Sequence, residues 1–550
     1  MEDQVVIQIL ELLQTLQEAC PELYHSVETK QDALFTQLCG DIHAGLACIL
    51  NLARQAETES CQKLGLIIQS AQDSFSRMHS FYSRQPENCL HKIEFECLPL
   101  LQEAYTTFYF YQHYLVDHPE QLPEFYTKEC SPWFANSYID QAMETGQYRY
   151  EVSLVITAYN KLEYTRRCVE SLLANIPKDL NYELILVNHG SSDGTKEYFE
   201  QIRPDKQLDI AVNGGGVTAL GRIVEGEFVI WISNDIIVAP HAIENLLACM
   251  RSDPRILWAV PATSNVSNLQ SIPADYSSEE ELMEFCEKNN RQDPFRWEQR
   301  TRLCNPIDIR RSSMWHGTGG LGLYSKTIYP LCLGNHTSFP DDRTALLIRR
   351  NGYKMMLVKD AYCHHFGSVT WAPIIQQQGE QKYYIKGRQN FSDIFGVDPW
   401  GTGFCYDPVF SERMIGENHG HVEVLGVNCG LGGNSLKIKE QLKEYCHDLD
   451  VRLTNITSDS KFLRDLAGVG DRTEKIDSLK KLGQFLAGNP YDYIIWDDPF
   501  PPAVNERKIL DLLLNALTPA GQLLTKRKLP AKAVRTELGN GWLRYTKTRS

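Results

Sequence analysis

Between Glu151 and Asp235 the chain repeats one grammar four times. The runs "EVSLVITAYN", "YELILVNHG", "LDIAVNGGG" and "EFVIWISND" are short, rich in β-branched and aromatic residues, and end in small or polar residues. Helical patterns of about ten residues separate them, the spacing of βαβ units. That alternation predicts a parallel sheet, because a helical crossover brings each new strand in pointing the same way as the last. The polar strand ends then lie side by side and line one crevice, the place where open α/β sheets hold their ligands. In "FVIWISNDIIVAP" (228–240) five apolar residues run into Ser233-Asn234-Asp235 before the apolar pattern resumes. A buried strand of a parallel sheet is continuously apolar, so the triplet marks where it leaves the sheet. A carboxylate there, taken alone, is more often a turn cap than a ligand.

With 550 residues the chain is too long for one core, and about two to four domains are expected. Hydrophobic residues at 43% and charged residues at 23% describe an ordinary globular protein. A net charge of -15 argues against a nucleic-acid partner, although "RTRLCNPIDIRR" (300–311) reads as a local basic patch. The sixteen cysteines are scattered and form no CxxC pair, which points to reduced thiols and a cytoplasmic location. The opening "MEDQVVIQILELLQTLQEAC" is an amphipathic helix without the basic start and apolar centre of a signal peptide. No window reads as long and apolar enough for a transmembrane segment.

Residues 1–146 read as a helical domain, with apolar residues at helical spacing in "CQKLGLIIQSAQDSFSRMHSFYSR" and "FECLPLLQEAYTTFYFYQHYLV". A second domain spans 147–405, less regular from about 264 to 312. A third spans 416–550: "VEVLGVNCGLGGNSL" is strand, glycine turn and helix start, and "YDYIIWDDPFPP" and "GQLLTKRKL" supply later strands. The chain is therefore multidomain α/β, without internal repeats.

The middle domain resembles glycosyltransferase family 2, the inverting, nucleotide-sugar-dependent enzymes with a GT-A (Rossmann-like) fold. Four stretches carry the resemblance in order: "VSLVITAYNKLEYTRRCVESLL", "LILVNHGSSDGT", "NGGGVTALGRIVEGEFVIWISND" and "FPDDRTALLIRRNGYKMMLVKDAYCHHFGS". It implies transfer of a sugar from a nucleotide-diphosphate donor to a hydroxyl on a glycan or protein acceptor, assisted by Mn²⁺ or Mg²⁺. Ser233-Asn234-Asp235 stands where the family carries Asp-x-Asp, so Asp235 is the expected metal ligand, Asn234 lies at the nucleotide, and Ser233 replaces the first acid. One carboxylate is enough for a hard cation that keeps several waters and bridges two phosphates. Thr157, Tyr159 and Asn160 match the segment that cups the base and ribose. His189 stands where many relatives carry an acid or amide that reads uracil, which leaves the donor base open. Asp193 matches an acid placed near the nucleotide, and an Asx-turn is an equally weighted reading. The backbone at Asn213 and Gly214 through Gly216 could approach a ligand closely.

For the base that deprotonates the acceptor hydroxyl, the resemblance offers Asp342, with Asp341 as alternate. A carboxylate enclosed beside another one is the kind of group burial tunes for that task. Alone, two acids before a helix read as capping. His364 and His365 follow the last strand and match a late metal-binding position, with His364 preferred, and His316 has an open role. Self-association is left open.

The C-terminal domain resembles class I S-adenosylmethionine methyltransferases, a methyltransferase-like Rossmann domain. Gly426 and Asn428 replace that family's first acid and first glycine, and Asn455 sits where an acid for the cofactor ribose is sought. S-adenosylmethionine is therefore not expected as a cofactor. Two other readings stand beside the transferase: a catalytically inactive carbohydrate- or partner-binding scaffold, and a bifunctional glycosyltransferase and methyltransferase.

Overall fold

In the computed structural model the residues described are 2–56, 59–83, 86–93, 97–109, 137–209, 223–304, 306–314, 339–350, 352–367, 385, 388–389, 391–392, 396–447, 449–501, 505–530 and 532–547. They form two compact units, one of residues 1–298 with 303–396, the other of 299–302 with 397–550.

The first unit opens with helices Glu2–Glu28, Asp32–Ala56, Glu59–Phe81, Pro86–Lys92 and Leu98–Tyr109. Their apolar stripes meet in one core, where Ile9, Leu13 and Leu16 lie with Ile42, Leu46, Ile68 and Phe75. The expectation that no window could span a membrane needs correction. By length and composition alone Asp32–Gln55 does so, with a mean hydropathy of 1.4. Its Phe35, Ile42, Leu46 and Ile49 are buried in the helical core, while only 33% of the apolar window is buried.

The strand grammar produces a nine-stranded mixed sheet among the described residues. Its strands are β1 (Tyr150–Ala158), β2 (Tyr182–Asn188), β3 (Lys206–Asp209), β4 (Gly226–Ser233), β5 (Ile236–Ile237), β6 (Ile256–Thr263), β7 (Trp297–Gln299), β8 (Ile307–Arg311) and β9 (Lys354–His365). The order is β3-β2-β1-β4-β8-β6-β9-β5, with β7 beside β9. β1, β2, β3 and β4 are mutually parallel, and β8 runs antiparallel to both β4 and β6. The helix Leu162–Asn175 places Thr165, Cys168, Val169 and Leu172 at helical spacing against the even-numbered face of β1, where Leu154 and Ile156 are fully buried. Helix Ala242–Ser252 adds Ile243, Leu246 and Met250 to the same layer.

The basic patch read at 300–311 is also corrected, because β8 runs through it. Arg310 is only 4% exposed, donates to both carboxylate oxygens of Asp308 (2.9 and 2.7 Å), and stacks between Trp231 and Trp258. Arg311 donates Nε–H to the Ile256 carbonyl (3.0 Å). A cation buried in a sheet needs such a partner; Arg300 and Arg310 are buried and Arg302 and Arg311 half-buried, so the stretch is not an open basic face.

Among the described residues the second unit contains a seven-stranded sheet: β10 (His421–Val427), β11 (Asp450–Thr457), β12 (Arg472–Lys475), β13 (Tyr491–Trp496), β14 (Leu517–Thr525), β15 (Ala533–Gly539) and β16 (Trp542–Lys547). The order is β12-β11-β10-β13-β14-β16-β15; β16 pairs antiparallel with both β14 and β15, and the other pairings are parallel. The strand order reverses direction between β10 and β13, the topological switch point of a doubly wound sheet.

Just past β13, Asp497 accepts hydrogen bonds on both oxygens from Asn434 Nδ2 (3.0 Å each). Burial nevertheless dominates and pushes its carboxyl up to about 7, against the pull of those bonds. Between the ordinary value of 3.8 and about 7 the folded state holds a proton that the unfolded chain has released. Stability of this unit therefore falls as pH rises through that window, by at most about 1.4 kcal/mol per pH unit from this group. Urea unfolding of the whole chain from pH 4.5 to 7.5, resolved for this unit, should show the decline, and Asp497→Asn should flatten it. A variant with the wild-type slope would remove Asp497 as the cause.

Candidate active site

The registers of the first sheet set the site. Thr157 on β1 lies beside Ser233 on β4, and Ala158 beside Asn188 on β2. The loops that follow these carboxyl ends are tied by side chains to backbone. Asn160 has a positive φ of 54° and takes the Ser192 N–H on its Oδ1 (2.9 Å), while its own N–H donates to Ser191 Oγ (2.8 Å). Asn188 accepts the Ser191 N–H (2.9 Å) and donates to Asp209 (2.8 Å). Asp193 accepts from the Leu162 N–H (2.8 Å) and the Thr195 hydroxyl (2.6 Å). Burial opposes the charge on Asp193, but these hydrogen bonds outweigh it and hold the carboxyl below its ordinary value. Its carboxylate thus anchors the loop to the start of the next helix, as an Asx-turn does.

Thr157 Oγ1 accepts the Trp231 indole N–H (3.0 Å), which couples the predicted nucleotide segment to the Trp231–Arg310 stack. His189 is buried, and its N–H donates to the Ala158 carbonyl (2.8 Å). Tyr159 is half-buried in the loop after β1. Asn213, Gly214 and His316 lie outside the described residues. Asn234, 5% exposed, donates to the Asn160 carbonyl (3.0 Å) and to Thr165 Oγ1 (2.9 Å), clamping the end of β4 to the first loop and helix. Asn234→Ala would leave the buried Thr165 hydroxyl and the Asn160 carbonyl without this donor and should cost about 1–3 kcal/mol. Equilibrium denaturation measures it, and an unchanged midpoint would refute the clamp.

Asp235 meets the far end of the sheet. β5 pairs with β9 so that Ile236 faces His365 and Ile237 faces His364, and Phe366 N–H donates to the Asp235 carbonyl (3.0 Å). The pairing brings His365 Nε2 to 3.3 Å from Asp235 Oδ2. Successive residues of a strand point to opposite faces, so His364 goes elsewhere. Its Nδ1 lies 2.8 Å from the Tyr276 hydroxyl and 3.2 Å from Ser264 Oγ, and Tyr276 in turn meets the Tyr362 hydroxyl (2.7 Å). Burial is the main cause that lowers the His364 imidazole below its ordinary value.

His365 is fixed by residues that sequence reading did not single out. Ser264 Oγ takes the His365 N–H (2.9 Å) and donates to its carbonyl (3.0 Å), and Asn265 Nδ2 donates to that carbonyl too (2.8 Å). The Asn265 carbonyl lies 3.2 Å from His365 Nδ1 and can only accept, so Nδ1 carries the hydrogen. In the neutral ring Nε2 then turns a lone pair toward a carboxylate oxygen. Two lone-pair donors at this distance repel unless a proton or a metal cation lies between them. A histidine held through its other nitrogen by a carbonyl is also how proteins orient imidazole toward a metal. The only sequence signal for this support is the asparagine-rich "SNVSN", where Asn265 and Asn268 have φ of 51° and 64°, a conformation asparagine tolerates.

Asp341 and Asp342 occupy the first turn of helix Pro340–Arg350, which packs against β9. Asp342 is 4% exposed and Asp341 is half-buried. Among the described residues no group of three or more His, Cys, Asp and Glu side chains converges on a metal position. Asp235 and His365 could supply two donors to a cation completed by phosphate oxygens and water.

The first unit is a mixed α/β sheet whose strands β1, β2 and β4 end in polar residues, and similarity to known proteins narrows its class. Residues 153–304 match the model of glycosyl transferase family 2. An uncharacterised glycosyltransferase of Rickettsia typhi is 33% identical over 106 residues, 19% of this chain and 33% of that protein. The chondroitin synthase of Pasteurella multocida is 30% identical over 130 residues, 22% of this chain and 13% of that protein. The chain thus spans a third or less of the length of these curated relatives. A solved mannosyltransferase from Pyrobaculum calidifontis, in complex with GDP-Man and Mn2+, is 16% identical with a TM-score of 0.28, covering 54% of this chain and 75% of that one.

Proposed function

We propose that the first unit transfers a sugar, with inversion, from a nucleotide-diphosphate donor to an acceptor hydroxyl on a glycan or protein. The family match over 153–304 and the glycosyltransferase relatives support the reaction class. The observation that carries the site is the Asp235–His365 pair at the carboxyl ends of the sheet. The residues present fit a divalent ion: a carboxylate oxygen of Asp235 and Nε2 of His365 face each other at 3.3 Å, with the ring oriented from behind by Asn265. When bound, Mn²⁺ or Mg²⁺ would neutralise charge on the departing diphosphate.

The chain's own residues do the rest. Thr157 at the end of β1, and Tyr159 and Asn160 in the loop that Ser191 and Ser192 tie down, hold the nucleoside without reorganising. Asp342 takes the proton of the acceptor hydroxyl as that oxygen attacks the anomeric carbon from the face opposite the diphosphate. The bond from that carbon to the diphosphate oxygen breaks, the electron pair leaves with the diphosphate, and the configuration inverts.

Thermal unfolding with each nucleoside diphosphate, with and without Mn²⁺, tests the donor site. A ligand that binds only the folded state raises its melting temperature, by a stabilisation of about 2.7 kcal/mol at a hundred times its dissociation constant. One nucleoside diphosphate should stabilise the protein, and more strongly with Mn²⁺. If none does, the inactive-scaffold reading replaces this one.

A further inference from the structure

The second unit has a feature that this reaction does not use. β10 ends at Val427, and the turn 428–432 leads into helix Gly433–Cys446. In a doubly wound sheet this turn lies at the switch point, and its backbone N–H groups are the donors offered to a nucleotide-type ligand.

Most of those donors are already engaged by the chain itself. Leu431 N–H donates to the Thr402 carbonyl (3.2 Å) and Gly433 N–H to the Gly403 carbonyl (3.1 Å). The glycines are required by this internal contact. A Cβ on Gly430 would fall on the Thr402 carbonyl oxygen, and one on Gly403 on the Cys429 carbonyl oxygen, closer than real atoms approach. Gly403 and Gly430 also have φ of +74° and +56°.

The inserted segment is anchored at both sides. Thr301 donates its hydroxyl to the Phe404 carbonyl (3.0 Å), and Asp407 N–H donates to Asn434 Oδ1 (2.7 Å). The Asp407 carboxylate meets Lys526 Nζ (2.8 Å). At the switch point Asn428 bridges the neighbouring strand ends. Its Nδ2 donates to the Pro499 carbonyl (3.1 Å) beyond β13, and its Oδ1 accepts the Ser458 N–H (2.8 Å) beyond β11.

From this geometry we infer that residues 402–405 are a built-in occupant of the crevice, held where a doubly wound domain would hold a nucleotide-type cofactor. The glycine turn of this unit serves its own chain, and an external cofactor finds most of its backbone donors taken.

Hydrogen–deuterium exchange of the full-length protein, read at single amides, tests the inference. Leu431 and Gly433 should exchange at least roughly a hundredfold more slowly than an open glycine loop. Their rates should not change with S-adenosylmethionine, NAD or ATP at about 1 mM. Fast exchange in the wild type would overturn the inference, as would further slowing by any of the three compounds with half-saturation below about 100 µM, near −5.5 kcal/mol. Gly403→Ala should release both amides while β10 and β13 stay protected, and retained protection at Leu431 and Gly433 would also overturn it. Should that variant not fold, the wild-type rates and the ligand arms decide.

Discussion

Asp342→Asn is expected to lower turnover by roughly a hundredfold or more while nucleotide binding survives, the usual scale for a lost general base. The substitution keeps the shape, exchanges one acceptor oxygen for an amide donor, and removes the charge together with the ability to take a proton at the carboxylate. Loss of a negative charge in the first turn of Pro340–Arg350 costs the helix about 0.3–1 kcal/mol, too little to unfold the domain. Asp342 is buried, so its replacement acts inside the structure, whereas Asp341 is half-buried on the same turn. Single-turnover transfer with both asparagine variants separates the two acids. A wild-type rate for Asp342→Asn with a collapse for Asp341→Asn would move the role by one residue, and two wild-type rates would take it off this helix.

Asp235→Ala should weaken Mn²⁺-dependent donor binding by at least about tenfold, the lower end of the effect seen when support of a metal site is removed. The fold should persist, because the contact that joins this segment to β9 runs through the Asp235 backbone carbonyl. His365→Ala should match it in metal dependence. His364→Ala should not: that ring meets Tyr276 and Ser264, so its loss should lower stability and leave the Mn²⁺ response in place. Calorimetric titration of donor with and without Mn²⁺ reads all three. A normal metal response in Asp235→Ala, or its loss only in His364→Ala, would contradict the assignment.

The strands were legible because their apolar runs have the length and β-branched content that only buried strands combine, and β1, β2, β4, β10 and β13 lie where those runs predict them. Asp235 was legible as an interruption of such a run. What escaped was set by partners distant in sequence. "PIDIRR" reads as basic, yet pairing between β4 and β6 turns Arg310 inward, where Asp308 and two indoles receive it. His364 and His365 are indistinguishable as a dipeptide, and only the register of β5 on β9 shows which one faces Asp235. Glycines 430 and 432 look like a cofactor turn, while the atoms that require glycine at 430 come from Thr402, outside the motif.

Donor hydrolysis by the full-length protein, with and without Mn²⁺ and without any acceptor, bears most directly on the claim that the crevice past β1, β2 and β4 activates a nucleotide-sugar. A panel of nucleotide-sugars should include one whose diphosphate is released by the wild type in a Mn²⁺-dependent manner, with release lost in Asp235→Ala and in His365→Ala. Release that is equal with and without Mn²⁺, or that persists unchanged in both variants, would contradict the account.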